Sequence, residues 1–287
     1  MASVEPVGGY HGGIAPAISV EEVARQAQEI ARDVGVEELD AVVAGSPHLR
    51  IDDLHAGYGQ MEILHGLSLR VGHKQSLCLI GPNGAGKSTV LHSIFGFTNI
   101  YSGTVSIERD KTQFDVTRLS PNEKLRSAGI AYILQDKSVF PGMTVEENLW
   151  MGGYLMDHPV EAKQAAEKVF DKYPRLAARR KHPAKVLSGG ERRLLEISRA
   201  LVMDPQILLV DEPSIGLEPR FIDAVFEILG DLQHAEGKTI VIVEQNAKKG
   251  LEFADIGYVL VSGKLALAGR ADDLLANPDV SRLFLGG

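Results

Sequence analysis

Short apolar runs of strand length alternate with longer amphipathic stretches along most of the chain. Leu49–Leu54 (Leu-Arg-Ile-Asp-Asp-Leu) and Ile63–Leu69 (Ile-Leu-His-Gly-Leu-Ser-Leu) place apolar residues at alternate positions. They predict two strands around an exposed Gly57-Tyr58-Gly59 turn, an antiparallel piece. Ser76–Ile80 is a short apolar segment, and Thr89–Phe95 behind it reads as the first turns of a helix. Residues 103–107 and 129–134 predict two further strands, separated by a polar stretch from Glu108 to Ser127. From residue 136 the character becomes helical and mixed in charge. Thr144-Val-Glu-Glu147 has capping-box spacing, Glu161–Lys172 predicts a helix that stops before Pro174, and Leu187-Ser-Gly-Gly-Glu191 opens another. Pro205–Glu212 is an apolar strand ending in two acids. A helix from Pro219 to Ala235, a strand at Thr239–Val243, a further helix and strands near Ile256–Val261 and Lys264–Leu267 complete the chain. Strands alternating with helices predict a layered α/β sheet, mostly parallel, with ligand at the carboxyl ends of its strands.

The first 48 residues read differently. Residues 1–18 are rich in Gly, Pro and Ala, as in a flexible tail. Ser19-Val-Glu-Glu22 again has capping-box spacing, and Val20, Val23, Ala27, Ile30 and Val34 follow on one helical stripe. That stripe predicts a helix packed on the main domain or used for docking. Nothing in residues 1–48 carries chemistry.

Composition narrows the class. A length of 287 residues predicts one or two domains, and 44% hydrophobic content supplies a sizeable core. A net charge of −8 argues against a general nucleic-acid binder. The single cysteine, Cys78, excludes an intramolecular disulfide and fits a small buried strand residue in a reducing compartment. The basic run Arg175, Arg179, Arg180, Lys181 and Lys185 reads as a solvated face. No apolar run approaches the roughly 20 residues that span a bilayer. The N-terminus has no basic and apolar leader. A membrane role would therefore come through a partner.

The most specific text is Leu79-Ile-Gly-Pro-Asn-Gly-Ala-Gly-Lys-Ser-Thr89, which fits G-x-x-x-x-G-K-[ST] with Gly81, Gly86, Lys87 and Ser88 at the fixed positions. Strand, glycine-rich turn and helix are the context this motif requires. Gly81, Gly84 and Gly86 free the backbone so that its N–H groups can form an anion nest, and the helix aims its positive end at the same place. Lys87 can reach terminal phosphates, and Ser88 offers a hydroxyl to Mg2+. Asp211, at the end of its strand, is placed to support Mg2+, and Glu212 to orient or deprotonate an attacking water.

The phosphate loop, Gln135, Leu187-Ser-Gly-Gly-Glu191 and Ile207-Leu-Leu-Val-Asp-Glu-Pro213 occur in a fixed order, the second glycine motif about one hundred residues after the first. This ordered set resembles the ATPases of ATP-binding cassette (ABC) transporters over roughly residues 49–287. The resemblance implies a P-loop NTPase cassette: a mostly parallel core sheet, an antiparallel β subdomain and an α-helical subdomain near 137–200. It implies ATP and Mg2+ as ligands. Tyr58 would stack on adenine, while Gly81, Pro82, Asn83, Gly84, Ala85, Gly86, Lys87, Ser88 and Thr89 hold phosphates and Mg2+. Gln135 would touch Mg2+ and water, Asp211 would support the metal, and Glu212 would be the base. Ser188, Gly189 and Gly190 would close over the γ-phosphate bound by a second ATPase subunit, identical or related, arranged head to tail.

A narrower resemblance lies in Val139-Phe-Pro-Gly-Met-Thr-Val-Glu-Glu-Asn-Leu149, Met151-Gly-Gly-Tyr154, Glu212-Pro-Ser-Ile-Gly-Leu-Glu-Pro219, Val243-Glu-Gln-Asn246 and Phe284-Leu-Gly-Gly287. These are similar to the branched-chain amino acid uptake (LivF-like) group, whose relatives also serve urea and short-chain amides. It implies integral-membrane permease subunits, an external solute-binding protein, and a place on the cytoplasmic face of the membrane. Gln245 stands where most cassettes carry a switch histidine, and a glutamine carries no proton or charge. Glu218 stands where the following loop has aspartate. Glu191-Arg-Arg193 is similar to the lipopolysaccharide-export type, which supplies an alternative; a non-transport ABC clamp is another.

Overall fold

The computed structural model of the protein describes residues 25–26, 34–135 and 138–285. The predicted tail, the capping box at Ser19 and most of the stripe after Val20 lie outside the described residues, as do Gly286 and Gly287. Ten strands follow in chain order: β1 (Pro47–Tyr58), β2 (Met61–Gly72), β3 (Ser76–Ile80), β4 (Asn99–Arg109), β5 (Thr112–Asp115), β6 (Ile130–Ile133), β7 (Ile207–Asp211), β8 (Thr239–Val243), β9 (Ile256–Val261) and β10 (Lys264–Arg270). They form an antiparallel sheet, β2-β1-β4-β5, and a second sheet, β10-β9-β3-β8-β7-β6. The second is parallel from β9 to β6, with β10 folded back along β9 as an antiparallel edge.

Why the central strands read as unbroken apolar runs is visible in the two cores. Leu77 and Leu79 of β3, Ile207 and Leu209 of β7, and Val241 and Val243 of β8 enter one core, shared with the antiparallel sheet and with Val90, Leu91 and Ile94 of the helix Lys87–Phe95. Cys78, Ile80, Leu208, Val210, Ile240 and Ile242 point the other way, against Val225, Phe226, Leu229 and Leu232 of the helix Pro219–His234. A strand covered on both faces needs apolar residues at every position, not every second one. A third core, around Val145, Leu149, Phe170, Leu194 and Leu195, joins the helices Val145–Gly152, Pro159–Lys172 and Gly189–Leu201.

Two stretches differ from the sequence reading. The polar region Glu108–Ser127 contains β5 and a short helix, Pro121–Arg126, begun by a capping box between Ser120 and Glu123. Both are too polar to show an apolar period. The basic run is also more than a solvated face. Arg180 bonds Glu146 and Glu167, Lys181 bonds Glu146, and Arg179 bonds Glu191. Those acids stand on three helices of the third core, so the run fastens that bundle together; Arg175 and Lys185 remain exposed.

Ahead of β1, the helix Val36–Ala41 places Leu39 in the first core with no exposed surface. Asp40 of that helix lies 3.4 Å from the Nε of Arg70, which is itself fully buried on β2. Leu39 thus plugs a segment outside the predicted cassette into its core. Leu39→Ala is expected to cost about 2–5 kcal/mol of unfolding free energy through lost burial and a residual cavity. A urea titration checks it: the midpoint falls with an unchanged slope, and an unmoved midpoint would show that the helix is not docked.

Candidate functional site

The glycine-rich turn leaves β3 at the carboxyl edge of the parallel sheet. Gly81 has φ +147°, and a Cβ there would lie 2.1 Å from the backbone oxygen of Leu260. Only glycine allows β9 to approach so closely. Gly86, at φ +98°, is the left-handed N-cap from which the helix Lys87–Phe95 starts. The carbonyl of the buried Ala85 accepts from Gly263 N at 2.9 Å, fixing the turn to the β9–β10 hairpin. Asn83 and Gly84 are exposed at the tip. Among the described residues, the N–H groups of Asn83, Gly84 and Gly86 have no acceptor. A concave run of unpaired N–H groups at a helix N-terminus is an anion site.

Lys87 is 8% exposed, and its Nζ donates to the carbonyls of Gly81 at 2.9 Å and Pro82 at 3.1 Å. The ammonium is therefore held over the turn. Burial pulls its pKa down, while Glu212 and Asp211 oppose that shift. Ser88 Oγ donates to Asp211 Oδ1 at 3.1 Å, and Tyr132 donates its hydroxyl to Asp211 Oδ2 at 2.8 Å. Burial and the neighbouring carboxylate push the Tyr132 phenol far up, so it stays a donor. Thr89 is buried one residue further along the helix.

Glu212 follows with φ +42°, a left-handed conformation that a side chain disfavours. Its N–H donates to Val243 O at 2.8 Å, and its Oε2 accepts from Gln135 Nε2 at 2.8 Å. Burial raises the Glu212 pKa above the usual carboxylate range; Asp211 and Glu244 add to the rise and Lys87 works against it. The structure thus brings Lys87, Ser88, Gln135, Asp211 and Glu212 together at one edge of the sheet. Such a group can hold a polyanion, present oxygen ligands to a hard cation and accept a proton from water.

Tyr58 ends β1 and is 43% exposed, as expected of a stacking residue. Its hydroxyl meets Nδ1 of His92, whose ring stands edge-on to Tyr58, Phe97 and Tyr132. Burial lowers the His92 pKa, against the pull of Asp211, so this ring is an uncharged link between Tyr58 and the acids. Neither His92 nor Tyr132 was singled out in the sequence. Tyr132 reaches Asp211 because β6 lies beside β7: it pairs with Leu209 in parallel register, and Leu209 and Asp211 share one face of β7.

The second glycine motif lies elsewhere. Ser188 caps the helix Gly189–Leu201, accepting from Glu191 N at 3.3 Å, while Ser188 N donates to Glu191 Oε2 at 2.9 Å. Ser188 and Gly189 are exposed. Ser188 and Gly190 line a cleft of about 640 Å3 with Arg175, Arg179 and Phe221, and no residue of the phosphate loop lines it. Gly190 packs against Phe221, whose ring a Cβ would approach to 2.5 Å. Gln245 is exposed, and among the described residues its side-chain amide has no partner; its N–H donates to Glu244. Glu218 is exposed beside Arg220.

The family model described as "ABC transporter" matches residues 64–215. The chain is 38% identical over 238 residues to a probable branched-chain amino acid transport ATP-binding protein LivF of Archaeoglobus fulgidus, covering 83% of this chain and 98% of that one. It is 39% identical over 239 residues to the high-affinity branched-chain amino acid transport ATP-binding protein BraG of Pseudomonas aeruginosa, covering 83% and 100%. A lipopolysaccharide export ATP-binding protein LptB of Acidithiobacillus ferridurans is 32% identical, covering 83% and 96%. Among solved structures, an ATP-binding cassette of an ABC transporter in its ADP conformation superposes with TM-score 0.72 at 30% identity, covering 84% of this chain and 99% of that one.

Tyr132→Phe tests the geometry directly. It leaves Asp211 Oδ2, in a residue 4% exposed, without its donor. The expected loss is about 1–3 kcal/mol of unfolding free energy. Chemical denaturation measures it, and a variant as stable as the parent would mean that this bond does not hold the acid.

Proposed function

The chain belongs to the ABC transporter family of ATP-binding proteins, which are ATPases, and from that membership we propose that it powers an importer of branched-chain amino acids or a related small amino acid, amide or urea. The observation that carries the chemistry is the convergence of Lys87, Ser88, Gln135, Asp211 and Glu212 on one turn at the carboxyl edge of the sheet. ATP is the substrate, its phosphates taken by the N–H groups of the turn and by Lys87, its adenine stacked on Tyr58. Glu212 orients and deprotonates the attacking water, and Gln135 holds the carboxylate that accepts the proton.

The donor set fits Mg2+. The Ser88 hydroxyl and the Asp211 carboxylate are hard oxygen ligands 3.1 Å apart, and among the described residues no cluster of three or more His, Cys, Asp or Glu competes as a cage. Mg2+ binds through few protein ligands and keeps water and phosphate oxygens. When bound it neutralises developing phosphate charge. Asp211, fixed by Tyr132, presents the carboxylate that such an ion needs.

Ser188, Gly189 and Gly190 sit on a cleft away from the phosphate loop, which supports their use across a subunit boundary. Two copies, or this chain and a related one, then sandwich two ATP head to tail. Ser188 and the positive end of its helix serve the partner's γ-phosphate. Among the described residues no helix is long and apolar enough to cross a membrane. The helical region then docks on permease subunits at the cytoplasmic face, with an external solute-binding protein supplying solute and no nucleic acid involved. The solute class rests on the LivF and BraG similarities, each above that to LptB. Glu191-Arg-Arg193 does not favour the export alternative. Arg193 is buried, bonding Leu134 O and Glu196 at 2.8 Å, so it serves packing.

Four outcomes are expected. Lys87→Ala abolishes ATP binding or hydrolysis in a phosphate-release assay, and full activity refutes its role. Glu212→Gln retains ATP and accumulates a closed dimer by size exclusion; unchanged turnover shows that another group is the base. The acidic limb of the pH–rate profile lies above 4.5, the ordinary glutamate value, because a base must be ionised and Glu212 is shifted upward; a limb at or below that value removes the assignment. Co-purification with an integral-membrane permease and an amino-acid-binding protein from detergent extracts tests the transport reading, and recovery with nucleic acid or ribosomes overturns it.

A further inference from the structure

Glu244 was quoted in the sequence only as part of a resemblance, yet it is among the most enclosed charged groups of the structure. It follows β8 directly and is 1% exposed. Its Oε1 accepts from Ser214 Oγ at 2.5 Å, from Gln245 N at 3.0 Å and from Asn246 N at 3.2 Å; its Oε2 faces Ser214 N at 3.4 Å. Among the described residues, the donors come from two segments. One is the loop that follows the two acids, where Ile215 N bonds Glu212 O and Leu217 N bonds Ser214 O. The other is the turn that carries Gln245 and ends in Asn246, the N-cap of the helix Ala247–Phe253. Gly250 of that helix leaves the space in which the Glu244 stem lies. A Cβ there would come within 2.6 Å of Cys78 Sγ and 3.0 Å of Glu244 Cβ.

Resting on the reading that this chain hydrolyses ATP through Glu212, we propose that Glu244 is a positioning residue. Its buried carboxylate locks the loop after Glu212 to the turn bearing Gln245, so that both sides of the γ-phosphate region move as one unit. The chemistry requires an anion with several lone pairs. A carboxylate accepts all four contacts, whereas a glutamine of the same shape turns an NH2 towards donors. Two of the four are strand-end N–H groups, from Gln245 and Asn246, that otherwise lack an acceptor. Glu244 touches no reacting atom in this scheme; it acts through Ser214 and Gln245.

The test compares the full-length chain with Glu244→Gln, Ser214→Ala and the double variant. ATP turnover and amide hydrogen exchange of residues 213–217 and 244–247 are measured in each. Glu244→Gln is expected to lower kcat roughly tenfold, the loss of a hydrogen bond to a charged acceptor from the working geometry. KM for ATP should stay within about twofold, since the phosphate loop is untouched. Ser214→Ala should lower kcat less, and the double variant should be no worse than Glu244→Gln alone, the sign of one shared interaction. Each single change should also speed exchange in the segment it does not belong to. Wild-type kcat in Glu244→Gln, multiplying effects in the double variant, or faster exchange confined to the substituted segment overturns the proposal. Should Glu244→Gln fail to fold, Ser214→Ala decides: unchanged exchange at 245–247 refutes the lock. A parent without ATPase activity both alone and paired with its related cassette would sink the hydrolytic reading instead, while the exchange result would still report on the lock.

Discussion

Three carboxylates crowd the carboxyl edge of one parallel sheet, and holding them there is the constraint on which the rest depends. Asp211 and Glu212 are consecutive in sequence, and Glu244 lies close enough to help raise the Glu212 pKa. Like charges gathered in a half-buried place repel and are poorly solvated. Each is therefore met by its own donors: Ser88 and Tyr132 for Asp211, Gln135 for Glu212, Ser214 and two N–H groups for Glu244. Lys87 supplies the opposing charge. The strand order explains how these groups meet. β8 lies between β3 and β7, so the phosphate turn and the acids start about 10 Å apart. The helix that begins at Lys87 closes that gap, bringing Ser88 over β8 to Asp211.

The same geometry explains why a single chain looks incomplete. The phosphate turn and the Ser188 cap both end in helix N-termini, the places where a backbone stabilises negative charge. They stand on different surfaces, the second on a cleft of its own. In the proposed head-to-tail pair, the two positive helix ends and Lys87 converge on one phosphate only when two chains close. Hydrolysis is then tied to association, since the anion-stabilising groups are divided between the partners. The capping box fixes this helix end locally: Glu191 accepts from the Ser188 backbone, and Ser188 Oγ accepts from Glu191 N.

How much of this was legible in the sequence follows from what each signal encodes. The core strands were readable because burial on both faces forces apolar text, and Thr239–Val243 emerges with the predicted ends. The phosphate turn was readable because its glycines and lysine are needed in fixed order. The box at Thr144 was readable because a cap is local, reaching three residues. β5 was not: all four of its residues are exposed, so no period marks it. The partners of Arg180 and Lys181 were hidden because Glu146 stands over thirty residues away. His92, Tyr132 and Glu244 escaped for the same reason. Their roles depend on which strands become neighbours, a property of topology that no short pattern contains.

The neutral residue at position 245 makes sense beside that third carboxylate. Gln245 N is held by Glu244, while its side chain is exposed. A histidine in its place would bring to this turn a ring whose charge changes across ordinary pH. A glutamine donates and accepts hydrogen bonds without titrating. It keeps the turn geometrically fixed while leaving Glu244 free to accept from Ser214 and the backbone. On this argument, positive charge around the phosphate is concentrated in Lys87 and the helix ends, and the segment after β8 contributes order instead of charge. A buried acid at position 244 and an uncharged side chain at position 245 are then one structural solution, read from two adjacent residues.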